Sequence, residues 1–334
     1  MIDTPDELSH PVFHDEEEAR LYLQEVRWPD GVVCPYCGVL DGIKPLGGDS
    51  MGPGWFYCES CQDKFTVRVR SIFERSHIPL HKWLLAFRLM ASSKKGVSAH
   101  QLHRTLKITY KSAWFLAMRI REAMAPTDPP RLGGEGKTIE VDETFIGKRD
   151  DFKADPNPWQ FNSEKGWHKK RRGGHSHMNA VVTLVERGGS ARSVKVDGLT
   201  ATNLRAVVLS NADPKSALMT DEFNSYTRLG RRFASHDVVV HRDEEYVRYE
   251  KGKDGKAKVV TTNTVEGYFS VFKRGMKGVY QHCSEKHLHR YLAEFDFRYS
   301  NRSALGVDDG ERTTRAITGA AGKRLTYRRT RSAA

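Results

Sequence analysis

Apolar residues recur at helical spacing in the first third of the chain. Residues 15–27 read as a short amphipathic helix, stopped by Trp28-Pro29-Asp30-Gly31, a strong breaker. Within 80–124, Trp83, Leu84, Phe87 and Met90 form one stripe, which Leu102, Leu106, Trp114 and Ile120 continue in later segments. Between these stretches, residues 32–70 are rich in Gly and Cys, with short β-like runs at Trp55-Phe56-Tyr57 and Phe65-Thr66-Val67. A Pro/Gly-rich linker at 126–136 marks the best domain boundary, and the period changes after it. Strands are expected at 138–141, 179–185, 191–196 and 217–220, with a helix at about 202–210 between the last two. Helices follow at about 263–273 and 285–299. Strands first and helices after, with one interleaved, predict an α/β sheet covered by helices. The stretch 149–177 has little periodicity and reads as a basic loop carrying Lys169, Lys170, Arg171 and Arg172.

Inside the helical stretch, Ser98-Ala99-His100-Gln101 fits a capping box opening a helix to about Leu106. Lys107-Ile108-Thr109 makes a short turn, and a second helix runs from near Tyr110 to near Met124 with Thr109 as its cap. Two helices joined by a three-residue turn match the helix-turn-helix that reads DNA with its second helix, where Lys111, Ser112, Arg119 and Arg121 supply donors. An ordinary helical hairpin packed on its neighbours fits the spacing equally well.

Charge bears on a DNA partner without deciding it, since a basic but solvated surface fits the same surplus equally well. Lys and Arg total 54 against 42 Asp and Glu, a net charge of +12, and the pI is about 9.4. Such a surplus suits a polyanion, because each phosphate neutralised releases counterions. No apolar run approaches the ~20 residues a bilayer span needs. The acidic first residues lack the basic and apolar regions of a signal peptide. A cytoplasmic, nucleoid-associated protein with reduced thiols is expected, and no membrane partner.

In that compartment paired cysteines more often bind metal than each other. Four of the five cysteines fall as Cys34-x-x-Cys37 and Cys58-x-x-Cys61. Two such knuckles complete the tetrahedron that zinc prefers, and with all four positions filled by protein the zinc is structural. Cys283 stands alone and reads as a core thiol.

A second constellation is acidic. Asp142 ends the β-like run Thr138-Ile139-Glu140-Val141, Asp221 ends Ala217-Leu218-Met219-Thr220, and Glu266 lies on a helical stretch seven residues before Lys273. Two strand-end aspartates and a helical glutamate can hold two magnesium ions ~4 Å apart. Crowded carboxylates titrate upward without a cation. Glu143 and Glu222, each following a candidate ligand, are expected to point to the opposite face. Spacing alone does not separate this triplet from solvated surface acids among 42.

The flanking residues do. The chain resembles the DDE-type insertion-sequence transposases with an N-terminal zinc ribbon, the ISXO-like group, over nearly its whole length. The match includes the 27–35 segment around Trp28-Pro29-Asp30-Gly31, the 92–99 segment ending Gly96-Val97-Ser98-Ala99, Val141-Asp142-Glu143-Thr144 and Thr220-Asp221-Glu222. It continues through Thr262-Asn263-Thr264-Val265-Glu266-Gly267, Lys273-Arg274-Gly275, Ser284-Glu285-Lys286-His287-Leu288, Phe297-Arg298-Tyr299 and Gly322-Lys323-Arg324-Leu325-Thr326-Tyr327. The resemblance implies an RNase H-like catalytic domain in which Asp142 bridges two Mg2+ ions (Mn2+ substituting), while Asp221 and Glu266 hold one each. Asn263 is the alternative third ligand. Lys273 would touch the DNA backbone near the reacting phosphate, with Arg274 as a further contact. Where the group is expected to carry a histidine before Thr-Asn, this chain has Thr261.

The expected organisation is therefore an N-terminal helix and zinc ribbon (1–75), a helix-turn-helix-like region (76–125), an RNase H-like catalytic domain (137–302) and a basic tail (303–334). The expected activity is Mg2+-dependent nicking and strand transfer on element ends and target DNA, by copies of the chain acting together. The rivals are a non-catalytic zinc-ribbon regulator and a structure-specific nuclease on the same fold.

Overall fold

The computed structural model describes residues 7–326, apart from 49–50, 152–158, 165, 170–174, 176, 244 and 252–256. The chain forms two compact units. One comprises residues 1–129 together with 293–334, the other residues 130–292.

The first unit opens with α1 (Glu16–Arg27), whose cap Asp15 accepts from the N–H groups of Glu17 and Glu18 at 2.8 and 3.0 Å. A three-stranded antiparallel sheet follows, β1 (Ile43–Leu46), β2 (Trp55–Cys58) and β3 (Lys64–Thr66). Trp28 meets Phe56 and Phe65 edge-on at its back. The apolar stripe of the sequence becomes α2 (Leu80–Ser92), with Trp83, Leu84, Phe87 and Met90 buried. Next come α3 (Ala99–Leu106) and α4 (Tyr110–Met124). Ser98 and Thr109 cap them through the N–H groups of Gln101 and Ser112, and Lys107 turns the chain at φ +50°.

The second unit is built on β4 (Thr138–Lys148), eleven residues where four were expected. Asp142 is therefore mid-strand rather than terminal, because Thr144 and Ile146 continue the buried alternation against the partner strand. The segment expected as a loop holds a hairpin, β5 (Trp159–Asn162) and β6 (Gly166–Lys169), in which Phe161 and Trp167 pair across the strands, T-shaped at 5.8 Å. Then follow β7 (Met178–Glu186), β8 (Ala191–Val196), α5 (Ala201–Asn211), β9 (Ala217–Asp221), α6 (Ser225–Gly230) and β10 (Ser235–Val239). A second hairpin, β11 (Val247–Lys251) and β12 (Ala257–Thr261), leads into α7 (Asn263–Gly275).

The sheet runs β10-β9-β4-β7-β8. β7 is antiparallel to β4 and β8, while β9 and β10 run parallel to β4. A three-strand meander with two parallel strands added beside its first member is the RNase H-like order. Ile139 and Val141 share a core with Leu204 and Val208 of α5. The alternate residue Glu140 bonds to α7, so the two helices cover opposite faces.

The chain continues through α8 (Leu288–Ser300) and α9 (Asp309–Thr318). Part of the stretch expected as a basic tail thus belongs to the core of the first unit: Ala316 and Ile317 are buried beside the apolar residues of α1, α2 and α4. Arg312 is buried too, donating to the carbonyls of Asn301 and Val307 and to Asp309. Lys323 donates to the carbonyls of Glu122, Ala123 and Ala125, closing the C-terminus of α4. Among the described residues no helix is long and apolar enough to cross a membrane.

Ile317 is 3% exposed, so Ile317→Ala should lower the unfolding free energy of the first unit by about 2–5 kcal/mol. Exposed Thr318→Ala should cost no more than about 0.5 kcal/mol. Denaturant titration of both variants decides whether this segment is core or tail.

Candidate active site and metal centres

In the first unit the cysteine pairs converge. The sulfurs of Cys34 and Cys61 are 3.6 Å apart, as are those of Cys37 and Cys58, and all four lie within 4.8 Å of one another. Zinc–sulfur bonds of ~2.3 Å in a tetrahedron separate sulfurs by ~3.8 Å, so the four thiols fit zinc. Each knuckle is shaped by its backbone. Gly38 and Gln62, the residues after Cys37 and Cys61, take left-handed φ of +79° and +60° and donate to the carbonyls of Cys34 and Cys58. Burial opposes ionisation of Cys34, yet N–H groups of Cys37 and Tyr36 bring its thiol down to about 7. Cys61 is pushed up to about 12 by burial and by its sulfur neighbours. The Cys61 thiolate is thus disfavoured unless a cation stands among the four sulfurs. Cys283 lies outside this cluster.

In the second unit, β4 and β9 pair in parallel up to Glu140 and Met219. Two residues further along the same register stand Asp142 and Asp221. Their carboxylate oxygens and one of Glu143 lie within 4.8 Å of one another. Glu143 corrects the expectation that it faces away. Strand alternation turns it toward buried Tyr226 of α6, yet past the end of the β9 ladder at Glu140 one of its carboxylate oxygens still lies within 4.8 Å of those of Asp142 and Asp221. Glu143 Oε1 and the Tyr226 hydroxyl are both buried. Glu222 does turn away: its carboxylate accepts from the N–H groups of His241 and Arg242.

Burial, then the neighbouring carboxylates of Asp221 and Glu266, raise Asp142 to about 6, against the pull of the Glu143 N–H. Burial and the charges of Asp221 and Asp142 raise Glu143 to about 8. Burial also raises Asp221. Glu266 sits at the rim of the cluster, near enough to act on Asp142, with 43% of its side chain exposed. The Thr262 hydroxyl donates to Glu266 Oε1 at 3.1 Å, and His241 Nε2 stands 3.5 Å from the same oxygen. The same histidine nitrogen is 3.3 Å from the Thr262 hydroxyl, twenty-one positions on in the sequence. Asn263 is exposed, its N–H bonded to Thr261 Oγ1. Hard oxygen donors at this spacing, carrying charge they cannot keep alone, suit divalent cations.

A model of the ISXO2-like transposase domain matches residues 131–300, half of the chain. The chain belongs to the ISXO2-like transposase family. A transposase zinc-ribbon domain model matches residues 14–64. An uncharacterised protein in transposable element ISH50 of Halobacterium salinarum is 26% identical over 291 residues, 86% of this chain and 91% of that protein. Two solved structures align over 69% of this chain: the Mos1 strand transfer complex (12% identity, TM-score 0.26, 72% of that chain) and a pre-cleavage Mos1 transpososome (11%, 0.24, 73%).

This transposase-family chain distributes its expected DNA contacts unevenly. Lys111 is exposed and Ser112 partly so, at the start of α4. Arg119 is not available: it is 7% exposed and donates to the carbonyls of Ile72, Glu74 and Leu325, since its position on α4 faces the core. Arg121 is likewise buried, against Glu294 at 2.7 Å. Lys273 is exposed over the Phe269 ring, and exposed Arg274 bonds to Ser270 one turn earlier. Lys169 ends β6, while Lys170, Arg171 and Arg172 lie outside the described residues.

The purified protein should carry about one zinc per chain, and Cys34→Ser far less, by elemental analysis. A wild type without zinc would refute a zinc-filled ribbon. The acidic cluster makes a separate prediction. Its pKa values are raised on folding, so between about pH 4.5 and 8 the cation-free native state binds more protons than the unfolded state, and stability falls as pH rises. Glu143→Gln should flatten that slope, gaining on the order of 1–3 kcal/mol over wild type at pH 8 and little near pH 4.5. Urea unfolding without added magnesium reads the difference.

Proposed function

We propose that this chain is a DDE transposase that nicks DNA at the ends of an insertion sequence and joins the freed 3′ ends to target DNA. The observation that carries the reading is the acidic cluster of Asp142, Glu143 and Asp221, with Glu266 at its rim, on an RNase H-like sheet in a member of this family. Mg2+ or Mn2+ held there would lower the pKa of a water or 3′-hydroxyl and neutralise charge on the reacting phosphate.

The chain's own residues prepare that chemistry. Asp142 and Asp221 project from paired strands and would hold the cations from a rigid base, with Glu266 reaching in from α7. Thr262 and His241 orient the Glu266 carboxylate. Lys273, seven residues on, stands on nearly the same face of α7 and contacts the DNA backbone. Lys111 and Ser112 at the start of α4, Lys169 to Arg172 and Arg274 hold the duplex. Two element ends must be gripped at once, so the working form is an oligomer on DNA. Joining, as opposed to cutting alone, separates this reading from a nuclease on the same fold.

Asp142→Asn, Asp221→Asn and Glu266→Gln keep side-chain shape but delete charge. Each should reduce magnesium-dependent nicking and strand transfer by ~10³-fold or more, the cost of losing several kcal/mol of transition-state stabilisation. Gel-shift binding to the same element-end oligonucleotide should stay near wild type. Near-normal activity in Glu266→Gln with loss in Asn263→Ala would make Asn263 the third ligand, and activity in all three charge variants would sink the model.

A further inference from the structure

Glu140 is fully buried at 0% exposure, two residues before Asp142 on the same face of β4. Its Oε2 accepts from the N–H groups of Thr264 and Val265 at 2.7 and 3.0 Å. Its Oε1 accepts from the Thr264 hydroxyl at 2.7 Å and from Arg187 Nε at 2.6 Å. These N–H groups belong to the first turn of α7, where a local cap residue ordinarily satisfies them. Thr262 holds the cap position but makes no capping bond with its side chain, because its hydroxyl is turned to Glu266. Arg187 spends its remaining nitrogens on the carbonyls of Val259 and Thr261, at 2.7 and 2.8 Å, in the strand that delivers the chain to α7.

From this geometry we infer that Glu140 is a positioning residue for Glu266: it pins the helix bearing one carboxylate to the strand bearing another. The inference rests on the reading of Asp142, Asp221 and Glu266 as a cation site. A cap from the helix's own chain would satisfy the same N–H groups without fixing α7 to β4. A buried carboxylate is expensive unless fully paired, and here it is paired on both oxygens, with both elements of the site in its grip. Glu140 touches no substrate and acts only through where it places Glu266.

The test uses the full-length, zinc-loaded chain without DNA. Mn2+ binding is measured by electron paramagnetic resonance, and amide exchange in the first turn of α7 by mass spectrometry. The variants are Glu140→Gln, Thr264→Val and Asp142→Asn. Glu140→Gln should exchange faster at Thr264 and Val265 and bind Mn2+ roughly 10- to 100-fold more weakly, the usual loss when a residue supporting a ligand is removed. Thr264→Val, which deletes one hydroxyl donor, should lose roughly two- to tenfold. A folded Glu140→Gln with faster exchange but wild-type Mn2+ affinity would reduce Glu140 to a helix anchor and overturn the inference. If Glu140→Gln does not fold, Thr264→Val decides in its place, unchanged affinity again overturning it. Wild-type affinity in Asp142→Asn would instead overturn the cation-site reading, and the inference with it.

Discussion

Two unit charges of the same sign ~4 Å apart cost ~4 kcal/mol at the effective dielectric of a protein's outer layers. The second unit holds three carboxylates that close, half-buried, with a fourth at the rim. Left to themselves such groups would splay apart or keep their protons, and the raised values of Asp142 and Glu143 show the second response. Prevention of the first falls to the scaffold. β4 is hydrogen-bonded on both sides up to Glu140, β9 brings Asp221 alongside in register, and Glu140 with Arg187 fastens α7 from beneath.

The ribbon in the first unit meets the same difficulty with sulfur. Its four donors saturate a tetrahedral ion and leave nothing open, which suits a cation that only holds strands and knuckles in place. The acidic cluster is open at its Glu266 side, where a reacting phosphate could enter. Elsewhere the first unit is knitted by buried arginines donating to backbone carbonyls, Arg119 and Arg312 among them. Basic residues in this chain are therefore not interchangeable as DNA contacts.

Features set by local chemistry were legible in the sequence. Residues 191–196 form the strand expected, α3 and α4 begin at the expected caps, and the ribbon follows from cysteine spacing. What escaped depends on contacts distant in sequence. β4 continues past Asp142 because β7 pairs with it, and β10 is an edge strand with too little alternation to announce itself. Arg119 looked like a donor for DNA, since nothing nearby reveals that its helical position faces the carbonyls of Ile72 and Leu325. Glu140 and His241 left no local mark: their partners lie 124 and 21 residues away. Glu143 was misjudged because alternation fixes where a Cβ points, and a long side chain at an open strand edge can still turn back.

The discontinuity of the first unit bears on how the chain comes into being. Arg119 finds the carbonyl of Leu325 across 206 residues, and the end of α4 waits as long for Lys323. At ~5–20 residues per second, a ribosome needs on the order of 10–40 s to deliver those partners. During that interval the whole of residues 130–292 has emerged and can fold, while α2 and α4 still lack α9. Translation thus finishes the five-stranded sheet before it finishes the unit that carries the ribbon, and a nascent chain interrupted between the two carries its acidic cluster without a completed first unit.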